Sequence, residues 1–201
     1  MNRTGPKTRI SRRLGIALTP KAARIMERRP NPPGQHGRGT GRRSAESDYK
    51  RQLTEKQRLK AQYNIHERQL RNYLRKALRK TGNPIDSLSQ LLEMRLDAIV
   101  HRGGLAPTIY AARQYVTHGH VLVNGQRTTV PGYRVQVGDV VSIKETSRHL
   151  EGLQDALDSS SPPAYLLQNA DQASVRVDHL PERAEIPVIC EFDQVIEFYS
   201  R

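Results

Sequence analysis

The sequence predicts an α+β protein: a mostly helical first part, then two helices leading into a small antiparallel sheet, all behind a basic, extended N-terminal arm. Three observations carry this reading. Apolar residues recur at helical spacing over residues 47–81. After residue 119 they switch to short alternating runs around turn dipeptides. Before residue 47 no apolar period is sustained, while Gly, Pro and Arg abound.

Residues 1–46 include Gly5-Pro6, Pro32-Pro33-Gly34 and a series of arginines. A segment of that composition has too little apolar surface to fold strongly alone, so it reads as an arm that orders against a polyanion. Residues 47–63 read as a helix with Ser47 as N-cap and Asp48 in the first turn, where the dipole favours it. Its expected apolar face is Tyr49, Leu53, Leu59 and Tyr63. A second helix covers about 66–81 and stops at Gly82. Leu70, Tyr73, Leu74, Ala77 and Leu78 form its apolar stripe, and Arg68, Arg71, Arg75 and Arg79 line the opposite side. A charged stripe is most often a solvated face. This one has a single carboxylate, Glu67, for four arginines, which favours a row of phosphates.

A third helix is expected over 87–102, opened by Pro84 and Asp86 and ended by Gly103-Gly104. A short fourth runs from Thr108 to His118, with Gly119 as its stop. Asn124-Gly125 marks a tight hairpin between strands ending at Val123 and starting at Gln126. Tyr133–Val137 and Val140–Ile143 read as further strands around Gly138-Asp139. Ser159–Pro163 reads as a linker, and Ile186–Tyr199 as one or two strands packing back onto the body.

The chain has 201 residues and a formal net charge of +13, so a polyanionic partner is expected. Residues 1–86 hold 23 Lys and Arg against 6 Asp and Glu, residues 87–148 hold 7 against 4, and residues 149–201 hold 3 against 10. The polyanion therefore meets the first part chiefly and the tail least. No apolar run is long enough to span a membrane, and the start lacks a signal-like stretch, which points to a reducing cytoplasm. One cysteine, Cys190, excludes an internal disulfide and a multi-cysteine zinc site, so no cofactor or metal is expected. No P-loop appears. His66-Glu67 lacks the second histidine of a zinc-protease helix, and Gly37–Gly41 follows no strand. An enzyme is disfavoured, because no acid/base or nucleophile constellation can be assembled.

The run Arg95-Leu96-Asp97, Ala106-Pro107-Thr108, Ala112-Arg113-Gln114, His118-Gly119-His120, Val123-Asn124-Gly125 and Gly138-Asp139 resembles the S-four RNA-binding domain. Upstream, Gly5-Pro6-Lys7, Pro33-Gly34-Gln35-His36-Gly37, Ser47-Asp48-Tyr49 and Glu67-Arg68-Gln69 are similar, in the same order, to the family of small ribosomal subunit protein four. Pro181-Glu182-Arg183 and Glu197-Phe198-Tyr199-Ser200 extend the likeness to the end. Three positions depart from the family pattern. The arm has none of the four cysteines of its zinc-binding members, Ile109 stands where Arg is common, and Ala98 stands where Asn is usual.

The resemblance implies an S-four domain inserted into a helical domain that the C-terminal segment completes. The limits are 1–46 for the arm, 47–93 with 177–201 for the helical domain, and 94–176 for the S-four domain and its linker. It implies a structural constituent of the small subunit that binds the 5′-domain junction of its ribosomal RNA and nucleates assembly. It further implies neighbouring small-subunit proteins, a place near the messenger path, an effect on decoding accuracy, and no membrane. Taken with the arginine face, it assigns RNA contacts to Lys7, Arg12, Arg13, Gln35, His36, Arg42, Arg43, Tyr49, Arg51, Lys56 and Arg58. On the second helix it assigns Arg68, Arg71, Asn72, Arg75 and Arg79, and in the S-four unit Thr108, Arg113, His118, Asn124 and Arg134. His118 and His120 read equally well as a helix end and a strand start.

With Cys190 alone and no histidine set beside it, elemental analysis of the purified protein is expected to find no stoichiometric zinc. About one zinc per chain, the level of a structural site, contradicts this reading.

Overall fold

The computed structural model describes residues 5–34, 47–150 and 152–200, and two helices stand in it where the sequence assigns none. They are α1 (Lys7–Leu14) and α2 (Pro20–Arg28). Gly15, at φ 69°, ends α1, and the Thr19 hydroxyl accepts from the Ala22 amide to start α2, with Pro20 in its first turn. Each helix buries very little: Ser11 and Leu14 in α1, Ala22 in α2. Leu14, Ile16 and Ala61 make a small core, flanked by Ile10 and Leu18. Such sparse apolar positions among arginines give no readable period.

Helix α3 (Asp48–Gln62) starts at Ser47, whose hydroxyl accepts from the Lys50 amide. Its buried row is Gln52, Glu55, Lys56 and Leu59. This corrects the expected face: Tyr49 is 53% exposed and Leu53 only half-buried, while Leu59 and Tyr63 are indeed inside. Helix α4 (Glu67–Leu78) buries Leu70, Leu74 and Ala77 and leaves Leu78 exposed.

The molecule divides into residues 1–72 with 188–201 and residues 73–187, so α4 contributes to both units.

In the second unit the single helix expected over 87–102 is two: α5 (Pro84–Glu93) and α6 (Leu96–Arg102). Asn83 caps α5 by accepting from the Ile85 amide at 2.9 Å. The break has a definite cause. Arg95 is extended, at φ −79° and ψ 142°, and bridges antiparallel to Arg134. The Val135 amide donates to the Met94 carbonyl, and the Leu96 and Asp97 amides donate to Tyr133 and Pro131. The strand expected at Tyr133–Val137 is thus spent on this bridge and does not enter the sheet.

Helix α7 (Ile109–His118) follows, capped by the Thr108 hydroxyl and ended at Gly119, φ 75°. The hairpin β1 (Val121–Val123) and β2 (Gln126–Arg127) turns at Asn124 and Gly125, whose φ of 50° and 80° are those of the tight turn that this dipeptide favours. Strand β3 (Val140–Ile143) pairs with β1. The stretch 150–176, of which the sequence offered only a linker, holds α8 (Leu153–Ser159), β4 (Leu166–Asn169) and most of β5 (Ser174–Val177). The sheet is antiparallel throughout, in the order β2-β1-β3-β5-β4. Its inner face, with Val121, Val141, Ile143, Val175 and Val177, packs on Leu96, Ile99, Val100, Ala112 and Val116 in one core.

The last element, α9 (Phe192–Ser200), corrects the expected strands at 186–199. Ile186, Val188 and Ile189 favour extended chain, but Phe192, Val195, Ile196 and Tyr199 follow at helical spacing. Phe192 and Val195 are buried, and the helix lies along α3.

Arg95 is 1% exposed and forms a two-pronged pair with Asp97, Nε to Oδ1 at 3.0 Å and Nη2 to Oδ2 at 2.7 Å. Removing one member strands a buried charge. Asp97→Ala is expected to lower stability by about 3–5 kcal/mol in urea unfolding. The paired change Arg95→Met with Asp97→Leu is expected to cost clearly less. Equal destabilisation would show that uncompensated charge is not the cause.

Candidate nucleic-acid interface

Spacing of three and four along α4 sets Arg68, Arg71 and Arg75 on one side, opposite the buried Leu70, Leu74 and Ala77, and Arg79 follows just past the helix end. All four arginines are exposed, as is Asn72 beside them. Lys76 and Lys80, which the sequence reading did not single out, are exposed on the same helix and just past its end.

The carboxylate in the first turn of α4 is engaged mainly by residues outside this row. Glu67 accepts from Lys60 Nζ at 2.6 Å, Lys56 Nζ at 3.2 Å and the Tyr199 hydroxyl at 2.5 Å. Arg71 Nε stands 4.0 Å away, outside hydrogen-bond reach. Partial burial pushes the Glu67 pKa up, but the bonds from Lys60, Tyr199 and Lys56 outweigh it and bring it down to about 2.

In the rest of the first unit, exposure separates the assigned residues. Arg13, Tyr49 and Arg51 are exposed, and Lys7 is half-buried. Arg51 pairs loosely with Asp48 at 3.8 Å, and the Tyr49 ring lies 5.7 Å from that of Phe198. Arg12 turns onto the chain after α2, its Nε and Nη2 donating to the Asn31 carbonyl at 3.0 and 2.7 Å. Arg58 donates to the Leu14 carbonyl at 2.8 Å and to Glu55 at 2.5 Å, so it fastens the chain after α1 to α3. Lys56 is corrected as a surface contact. It is 6% exposed, bonded to Glu67, with Nζ 4.0 Å above the Phe198 ring. A face dominated by polar residues looks outward in sequence, and only packing by α9 puts Lys56 inside. Between α3, the end of α1 and the chain after α2 lies an open cleft of about 900 Å³ whose polar lining includes Arg12, Arg13, Lys50, Gln57 and Arg58 and no carboxylate among the described residues.

In the second unit, Arg134 and His118 are exposed. Thr108 uses its hydroxyl on the Ala111 amide, and Arg113 reaches Asp97 at 3.4 Å. Asn124 fixes its own hairpin: Nδ2 donates to Asp139 at 2.8 Å, and Oδ1 accepts from the Val140 amide at 2.9 Å. The sequence reading omitted Arg127, which packs over Gly119 so closely that a Cβ there would meet its Nε at 2.2 Å. His120 sits 6.0 Å from His118, ring to ring. Its pKa is held below the ordinary value by burial and by the charges of His118, His149, Arg127 and Lys144. Those basic residues are scattered singly along the sequence, so no spacing announces that all of them act on His120.

Gln35, His36, Arg42 and Arg43 lie outside the described residues. Among the described residues no group of three or more His, Cys, Asp or Glu is placed to hold a metal, and no helix is long and apolar enough to cross a membrane. Burial and the adjacent Glu55 push the Cys190 thiol up, away from reactivity.

Residues 2–93 match the family model for the ribosomal protein S4/S9 N-terminal domain, and residues 94–141 match that for the S4 domain. Small ribosomal subunit protein uS4 of Streptomyces avermitilis is 47% identical over 205 aligned residues, covering 100% of this chain and 99% of its own. The uS4 proteins of Micrococcus luteus and Chlorobium phaeovibrioides are 46% and 44% identical, each over at least 98% of both chains.

The depressed pKa of Glu67 fixes a direction for stability against pH. A carboxyl at about 2 when folded, against a reference of 4.5, contributes stability above the higher value and loses it as pH falls toward the lower. The stability difference between the parent and Glu67→Gln is therefore expected to be full at pH 7 and to vanish between pH 4.5 and 2. A difference constant across that window in urea titrations would remove Glu67 as the anchor.

Proposed function

The chain belongs to the uS4 family of small-ribosomal-subunit proteins, and from that premise we propose that the arginine row of α4 is its principal contact with ribosomal RNA. The protein is a structural, RNA-binding constituent of the small subunit of the cytoplasmic ribosome, not an enzyme.

One observation carries the finer reading. Three exposed guanidiniums share a face of α4 and a fourth, Arg79, follows just past its end, while the carboxylate of its first turn is already occupied by two lysines and a tyrosine. Guanidiniums bind phosphates with two parallel bonds and position the protein without reading sequence. A junction of RNA helices offers phosphates in a fixed array that a rigid helix face matches. Around this row, Lys7, Arg12, Arg13, Tyr49, Arg51 and Arg58 supply secondary contacts. Gln35, His36, Arg42 and Arg43 of the arm join them. In the S-four domain, taken as 94–176 with its linker, Arg134 and His118 face RNA directly, and Thr108, Arg113 and Asn124 join them from the helix start, the Asp97 pair and the hairpin that they hold. From the family resemblance we further propose early binding to the 5′-domain junction, nucleation of subunit assembly, a place near the messenger path and an effect on accuracy.

Removing one arginine–phosphate pair lowers the log–log salt slope by roughly 0.7–0.9. Replacing Arg71 and Arg75 together with Gln is expected to weaken binding on the order of tens-fold at moderate salt and to flatten the slope by roughly 1.5. Arg183→Gln, exposed near the acidic end, is the control and is expected to leave affinity nearly unchanged. A parental slope in the double variant, with weakening by Arg183→Gln, would reverse the charge map.

A further inference from the structure

The arginine row is not uniform. Arg71 differs from its neighbours in having an aromatic ring beneath it. Its guanidinium carbon lies 5.9 Å from the centre of the Tyr199 ring, on the C-terminal helix. The same tyrosine donates its hydroxyl to Glu67, one turn before Arg71 on α4. Phe198 stands edge-on to Tyr199 at 5.4 Å and is itself covered by the Lys56 ammonium at 4.0 Å. The ring of Tyr199 is therefore held on two sides, by a hydrogen bond at its tip and an aromatic edge along its flank.

Glu67 is the natural i to i+4 partner for Arg71 on an isolated helix. Here Lys60, Lys56 and Tyr199 take its oxygens first, and Arg71 Nε is left at 4.0 Å. An arginine paired tightly to a carboxylate must break that pair before it meets a phosphate. An arginine held beside an aromatic ring and its hydroxyl, without a tight carboxylate pair, keeps most of its N–H donors available for phosphate.

We infer that Tyr199 is a positioning residue for RNA binding: it competes with Arg71 for Glu67 and sets its ring and hydroxyl beside the guanidinium, holding it toward phosphate. The C-terminal helix thus takes part in RNA recognition through one residue without touching RNA. This inference rests on the α4 reading above and assigns Tyr199 a part in it.

The test is a double-mutant cycle on the full chain, with a transcript of the 5′-domain junction of small-subunit ribosomal RNA as ligand. The variants are Tyr199→Leu, Tyr199→Phe, Arg71→Gln and Tyr199→Leu combined with Arg71→Gln. A cation over a ring at an exposed site corresponds to about a two- to five-fold change in affinity. Tyr199→Leu is expected to weaken binding by that amount and to lower the salt slope toward that of Arg71→Gln. In the Arg71→Gln background the same change is expected to do nothing further. Tyr199→Phe, which keeps the ring, is expected to fall between parent and Tyr199→Leu.

Equal weakening by Tyr199→Leu in both backgrounds would mean that the tyrosine only holds α9 in place, and the inference would be wrong. Parental binding by Tyr199→Leu would sink it as well. Parental affinity in Arg71→Gln alone would overturn the α4 reading itself, a result distinct from either of these.

Discussion

The second unit is organised by one buried ion pair. Arg95 and Asp97 sit two residues apart, and the break between two helices lets the pair close. In continuous helix, side chains two apart point to different sides. Because Arg95 is extended, its guanidinium can turn back on Asp97. The same extended residue frees the backbone of 94–97 to take Tyr133, Pro131 and Val135 as hydrogen-bond partners. The pair draws in Tyr73, whose hydroxyl accepts from Arg95 at 2.6 Å, and Arg113 from α7. Gly132 keeps the loop close, since a Cβ there would stand 3.3 Å from the guanidinium. The two helices and the incoming loop are thereby fixed around one carboxylate, and the apolar core closes beneath.

A second buried carboxylate repeats the arrangement in the same unit. Glu93 is fully buried, accepts from the Tyr165 hydroxyl at 3.1 Å and pairs with Arg102 at 3.3 Å. It ties α5 to α6 and to the chain just before β4. Buried ions add little net stability, because their desolvation offsets their attraction. They do penalise alternatives, since any other packing leaves them unpaired.

The first unit relies on polar packing of another kind. The buried row of α3 is Gln52, Glu55 and Lys56 with Leu59, and α9 meets it with Glu197 and Phe198. Glu55 accepts from Arg58 and from the Glu191 amide, and Gln62 exchanges two bonds with Ile189. A helix pair held by such bonds presents few apolar residues. It leaves basic side chains outside, which suits a surface that meets polyanions.

The sequence by itself determined the features with a local cause. Thr108 and Gly119 bound their helix through a hydroxyl cap and a left-handed residue, Asn124-Gly125 makes its hairpin, and the arginines of α4 share a face because helical geometry requires it. Uneven charge pointed to the polyanion, and an ordered set of motifs pointed to the family. Tertiary structure decided what no window of sequence contains. It broke the helix at Arg95 for the sake of a distant loop at Arg134. It drew β4 and β5 into the sheet and turned the expected terminal strands into α9. It also took Lys56 inside, settled Arg58 on a carbonyl, and set Tyr199 under Arg71. The physical reason is the same in each case: local propensities differ by less than about 1 kcal/mol per residue, and a buried charge or an unpaired strand edge outweighs them.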